Sequence, residues 1–123
     1  MTKRGNLVNS FKCALAGIIY CVQRERNIKI HLAAAIMAFM LGWYLELSRV
    51  EFLLLGLYVM LVLIAEVVNT AIEVVVDLIT PEYDLLAKAA KDIAAGAVLL
   101  AALASLIAGG LLFLPKLAIL LGG

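Results

Sequence analysis

Apolar residues fill most of this chain, and the way polar positions interrupt them divides it into four segments. In the first, Leu7, Phe11, Leu15, Ile18 and Val22 recur at helical spacing, with Val8 and Ile19 beside them. Asn9, Ser10 and Lys12 fall off that stripe. The spacing predicts an amphipathic helix over about 6–24, lying on a membrane surface rather than crossing it. It ends in the charged cluster Arg24-Glu25-Arg26. A second apolar segment, 30–47, is just long enough to span, since a span takes roughly 20 residues. Trp43 and Tyr44 near its far end suit an interfacial anchor. The third, 51–79, would be roughly 43 Å long as a helix, so one end must tilt or protrude from roughly 30 Å of hydrocarbon. Thr80-Pro81 should stop it, because proline disfavours helix at the residue before it. A loop, TPEYDLLAKAAKD, is expected next, with at most a helical turn. The last span is placed at 91–114, ended by Pro115-Lys116 and followed by an apolar tail.

Composition supports this reading. The 123 residues are 66% hydrophobic and 15% charged, against about a quarter charged in soluble domains. So little polar surface cannot cover a globule, and an all-α, multi-pass membrane protein of one domain is expected. A net charge of +1 gives no field for nucleic acid, and no nucleic-acid partner is expected. Cys13 and Cys21 lack metal-ligand partners and read as reduced packing residues. The N-terminal stretch does not read as a signal peptide, because Asn9, Ser10, Lys12 and Gln23 break up its apolar core. Lys3, Arg4, Lys12, Arg24, Arg26 and Lys29, with Lys88 and Lys91, stand against Arg49 and Lys116 on the other side. This asymmetry places the N-terminus and the 80–91 loop in the cytoplasm. Small residues recur every fourth position at Ala34, Ala38 and Gly42, and at Ala97, Ala101, Ser105 and Gly109. Such ridges permit close helix approach in lipid. Three spans would leave polar positions facing lipid, so an oligomer is expected.

The candidate chemistry lies in Ala65–Asp77, AEVVNTAIEVVVD. At 100° per residue, Glu66, Asn69, Glu73 and Asp77 fall at about 0°, 300°, 340° and 20°, on one stripe roughly 16 Å long. Carboxylates in a span mark pathways or sites. Phe52 to Ala65 is uncharged, which puts Glu66 just inside the cytoplasmic boundary and Glu73 and Asp77 near the head groups. Acids on one ridge need protons, a base or a divalent cation. Two or three carboxylates with open water positions suit Mg²⁺ held together with substrate phosphates. Lys91-Asp92 and Glu25 belong to the same membrane face. The same stripe could instead be a hydrogen-bonded oligomer seam, or a path for cations or protons. His31, alone at the start of a span, reads as an interfacial residue rather than a ligand. There is no GxxxxGK[ST] loop, no protein-kinase motif set and no Cys/His metal spacing.

AEVVNTAIEVVVD, then PEYDLLAKAAKDIAAGAVLL, with RERNIKIH upstream, resembles the prokaryotic integral-membrane diacylglycerol kinases, a family that includes undecaprenol kinases. The resemblance covers nearly the whole chain. It implies a homotrimeric bundle with composite sites between subunits. It also implies transfer of the γ-phosphate of MgATP to a lipid hydroxyl at the cytoplasmic face. By resemblance Glu66 is the catalytic base and also touches the lipid, and Glu73 and Glu25 hold the metal. Glu25, Asn69, Glu73, Asp77, Glu82, Tyr83, Asp84, Lys91 and Asp92 match ATP-binding positions, and Ala95 falls beside the lipid.

Overall fold

The computed structural model describes residues 5–122. Lys3 and Arg4, counted above for orientation, lie outside the described residues. The chain forms four helices: α1 (Leu7–Arg24), α2 (Arg26–Tyr44), α3 (Arg49–Ile79) and α4 (Leu85–Leu120). The last three are long and apolar enough to cross a membrane.

α1 forms as a helix over nearly the expected residues. The Asn6 side chain caps it, accepting a hydrogen bond from the Asn9 amide at 2.8 Å. Its apolar stripe is bare in the single chain, with Leu7, Phe11 and Leu15 all more than half exposed. α2 starts earlier than expected, at Arg26. The one residue between α1 and α2 is Glu25, in extended conformation (φ −100°, ψ 123°), which serves both helix ends. The charges at Arg26 and Lys29 limit what enters hydrocarbon but not what can be helical, so the helix runs through them.

α2 ends in a Schellman turn. The Leu47 amide donates to the Gly42 carbonyl and the Glu46 amide to the Trp43 carbonyl. Glu46 occupies the left-handed position at φ 56°, where glycine is usual. Leu47 folds back and is buried against Gly42. A Cβ at Gly42 would meet Leu47 Cδ1 at 2.7 Å and the Phe52 ring at 3.2 Å. α3 then begins with a reciprocal cap: Ser48 Oγ accepts from the Glu51 amide, and Glu51 Oε1 from the Ser48 amide. Thr80-Pro81 ends α3 where the sequence places the stop.

α4 departs from expectation at both ends. The loop before it is only residues 80–84, because Asp84 Oδ1 accepts from the Leu86 and Ala87 amides and starts the helix at Leu85. Nor does Pro115 end it: the helix continues to Leu120. Proline removes a single amide donor and its apolar tail Leu117–Leu120 keeps the helical pattern; neighbouring helices in a membrane can absorb such an interruption. Lys116 Nζ, one residue on, sits 3.3 Å from Glu51 Oε1 and ties this end of α4 to the start of α3.

α3 packs chiefly against α4, and α2 against α3. Of the small-residue ridge expected on α4, Ala101 is buried and Ser105 donates its hydroxyl to the Tyr58 carbonyl at 3.1 Å. Ala97 points outward and Ala94 takes the buried place instead, which keeps the contact on one helical face. Both cysteines are free thiols, Cys21 buried and Cys13 exposed. Large side chains such as Leu100, Leu106 and Leu111 are exposed along α4. Such an apolar exterior fits hydrocarbon or further copies as its surroundings.

Replacing Glu46 with glycine removes the left-handed strain, worth about 1 kcal/mol. The expected outcome is a higher midpoint for thermal unfolding in detergent; a lower midpoint would contradict the turn as described.

Candidate active site

The ladder on α3 passes from buried to open along its length. Glu66 is 1% exposed, Asn69 is buried, Glu73 is half-buried and Asp77 is exposed. The order follows the packing: α2 brings His31 against Glu66, whereas at Asp77 the contacts are made by the long side chains of Lys91 and Arg24. Thr70, also buried, satisfies its hydroxyl on the Glu66 carbonyl at 3.0 Å.

At the buried end, His31 Nε2 of α2 lies 3.2 Å from Glu66 Oε1. The distance is that of a contact, but the alignment is not that of a hydrogen bond, and Glu66 Oε1 and Asn69 Oδ1 are both buried without hydrogen-bond partners. Buried polar atoms are rarely left so. The two open acceptors therefore mark where a donor would be received.

At the open end, Asp77 is shared by two cations. Lys91 Nζ of α4 is 2.6 Å from Asp77 Oδ1, and Arg24 Nη2 of α1 is 3.8 Å from Oδ2. Arg24 also donates to the Tyr20 hydroxyl at 3.1 Å and to Glu25 Oε2 at 3.2 Å. Hydrogen bonding to Tyr20, with a smaller contribution from Glu25, holds the guanidinium above its ordinary range. Arg24 thus pins the end of the surface helix to the ladder and brings Glu25 with it.

The remaining candidate residues lie around this end. Asp92 pairs with Lys88 at 2.6 Å on its own helix. The Glu82 carbonyl accepts from the Thr80 hydroxyl, Tyr83 is 78% exposed, and Asp84 caps α4. Ala95 is exposed. The structure thus joins Asp77 to Lys91 and brings Glu25 toward the ladder, while Glu82, Tyr83, Asp84, Asp92 and Ala95 rim it without direct contact to Glu66 or Glu73 among the described contacts.

Beside the buried end, an apolar cleft of about 510 Å³ opens between α2, α3 and α4. His31 and Ile30 line one part of it, Val62 and Tyr58 the floor, and Ser105 and Phe113 the α4 wall. Ala34 and Ala38 of the α2 ridge line it too, rather than packing directly on a neighbouring helix. Sequence periodicity missed two members of this site. His31 is brought to Glu66 by helix packing, which single-helix spacing cannot register. Arg24 was grouped with its charged neighbours, and its reach to Asp77 depends on the sharp bend at Glu25.

Among the described residues no three His, Cys, Asp or Glu side chains form a metal cage. Glu25, at the bend before α2, and Glu73, on α3, are hard oxygen donors, each half-buried. That donor set fits Mg²⁺, which is usually held by one or two carboxylates together with substrate phosphates.

The site and fold define a small all-helical membrane protein with an acid ladder entering an apolar bundle. Residues 12–113 match the family model described as prokaryotic diacylglycerol kinase, and the chain belongs to that family. It is 47% identical over 108 residues to an undecaprenol kinase of Bacillus subtilis, covering 88% of each chain. It is 45% identical over 113 residues to a diacylglycerol kinase of Synechocystis, covering 91% of this chain and 65% of that relative. A diacylglycerol kinase of Escherichia coli is 43% identical over 68 residues, 55% of this chain and 56% of its own.

The Asp77–Lys91 pair is partly exposed on both sides. Asp77→Asn should therefore cost no more than about 1 kcal/mol of stability. Thermal unfolding checks this, and a markedly larger loss would show that the pair also anchors the fold.

Proposed function

We propose that the protein is a lipid kinase that transfers the γ-phosphate of ATP to the hydroxyl of a membrane lipid alcohol, diacylglycerol or undecaprenol, at the cytoplasmic face. The observation that carries this reading is the juxtaposition at Glu66. A buried carboxylate with an unsatisfied oxygen lies behind His31, which lines an apolar cleft, and the rest of the acid ladder leads from it to an open, cation-bearing rim. The apolar tail of the lipid suits the cleft and the nucleotide suits the rim. Relatives with both names support the class of reaction and leave the two lipids as alternatives.

In this mechanism Glu66 accepts the proton of the lipid hydroxyl. The lipid oxygen then forms a bond to the γ-phosphorus as the bond to the β–γ bridging oxygen breaks, with its electron pair going to ADP. Such transfer depends mostly on alignment and charge neutralisation. Lys91 and Arg24 supply positive charge beside the phosphates, with Asp77 holding both in place. Asn69, between Glu66 and Glu73, has an open carbonyl oxygen to orient a donor. Glu82, Tyr83, Asp84 and Asp92 line the nucleotide side, and Ala95 the lipid side. Glu25 and Glu73 would hold Mg²⁺, which when bound neutralises phosphate charge. A homotrimer would cover the exposed apolar faces and complete each site from a neighbouring subunit.

Conduction of cations or protons is the weaker reading. The stripe does not continue past Glu66: Val62 and Leu55 carry the buried face onward, and Phe52 to Ala65 holds no charge.

Purified protein in lipid–detergent micelles should consume ATP when diacylglycerol or undecaprenol is added, and the two assayed side by side identify the preferred alcohol. Absence of ATP consumption with either alcohol would refute the kinase reading. Glu66→Gln should lose turnover by roughly 100-fold or more, with assembly unchanged by size-exclusion chromatography; near-normal turnover would remove Glu66 from the reaction. Glu73→Gln should move the Mg²⁺ titration to higher concentration, and an unchanged titration would exclude Glu73 as a ligand.

A further inference from the structure

We propose that His31 is the positioning residue for Glu66: its imidazole N–H holds one carboxylate oxygen and leaves the other free to accept the proton of the lipid hydroxyl. The assignment rests on the kinase reading above and adds a residue to it.

Three observations converge. First, Glu66 is almost wholly buried, and His31 is the one basic side chain within 4.0 Å of its carboxylate among the described residues, at 3.2 Å between Nε2 and Oε1. Second, that same Oε1 has no hydrogen-bond partner among the described residues, so the imidazole is within reach but not yet aligned. Catalytic contacts of this kind commonly tighten when substrate binds. Third, the two side chains differ in access. His31 is 30% exposed and lines the apolar cleft, whereas Glu66 is 2% exposed at its side chain and does not line it. A lipid hydroxyl approaching along the cleft meets the imidazole first, with the Glu66 carboxylate 3.2 Å behind its Nε2.

Rigid elements carry both groups. His31 lies in the second turn of α2 and Glu66 in the middle of α3, so the contact is fixed by helix packing and not by a loop. A carboxylate can rotate and present either oxygen. An N–H directed at Oε1 removes that freedom and leaves Oε2 as the proton acceptor. The imidazole keeps its own proton throughout: the hydroxyl proton passes to Glu66 Oε2, the lipid oxygen bonds to phosphorus, and ADP leaves with the electron pair of the broken bond. The other ionisable groups around His31 are Tyr58 across the cleft and Glu25 at the start of α2. Neither makes an ion pair with His31.

The test compares His31→Leu, which keeps bulk but has no donor, with His31→Gln, which restores an N–H at similar reach. His31→Leu should lower kcat by roughly 10- to 100-fold, with KM for MgATP unchanged within about 2-fold, and His31→Gln should recover most of the loss. A role in packing alone would be met by leucine, so full kcat in His31→Leu overturns the proposal, as does a glutamine variant no better than leucine. Because His31 is the chain's single histidine, its imidazole ¹⁵N signals are unique. They should shift in Glu66→Gln, and this holds even if His31→Leu does not assemble; unchanged signals overturn the proposal. Wild-type protein that phosphorylates neither lipid overturns the kinase reading and this assignment together. An active wild type with a full-rate His31→Leu overturns only the role of His31.

Discussion

A carboxylate buried inside a bundle made for hydrocarbon is the constraint on which the rest of the molecule depends. Removing a lone ionised acid from water costs far more than one helix contact returns. Glu66 is tolerated because polar residues stand near it on two helices. Asn69 and Thr70 follow on its own helix, and His31 reaches across from α2. Only Thr70 is fully satisfied locally. The open acceptors on Glu66 and Asn69 are a cost in stability kept at one place, the pattern expected where a protein reserves groups for a ligand.

The two ends of the bundle are closed by different means. At the far end, Glu51 both caps α3 and pairs with Lys116, and a Schellman turn joins α2 to α3 tightly enough to require Glu46 at positive φ. At the ladder end the links are ionic and partly exposed: Arg24 and Lys91 meet on Asp77. Exposed ion pairs contribute little to stability and are easily exchanged. The far end thus sets the register of the helices, while the ladder end is held by contacts that a phosphate could replace at small cost. Rigid packing at one end and exchangeable charge at the other suit a site that must admit a polar ligand without disturbing its membrane core.

Much of this was legible in the sequence because it depended on single-helix geometry. The surface stripe from Leu7 to Val22, the α3 stop at Thr80-Pro81 and the shared face of Glu66, Asn69, Glu73 and Asp77 follow from 3.6-residue periodicity and proline sterics. The family followed from the wording of the ladder and the Lys91-Asp92 segment. What could not be read depended on partners from other helices or on local capping. Pro115 signalled a helix end, yet the helix continues where its apolar pattern continues. The start of α4 turned on the side-chain conformation of Asp84, which a run of mixed polarity does not reveal. His31 looked solitary because its partner lies 35 positions away in sequence.

The contrast between His31 and Lys91 shows why position along the ladder matters. Lys91 reaches Asp77 where both side chains are partly hydrated, so water can replace either partner. His31 reaches Glu66 where the carboxylate is nearly dry, so nothing else can take the place of its N–H. A cation at the open end can rearrange toward a phosphate as the nucleotide arrives, whereas a donor at the buried end must be carried by the helices themselves and can realign only slightly, because no solvent is available there to stand in for it. The ladder therefore divides its work by depth: adaptable charge where the water-soluble substrate enters, and a fixed donor where the apolar alcohol must give up its proton.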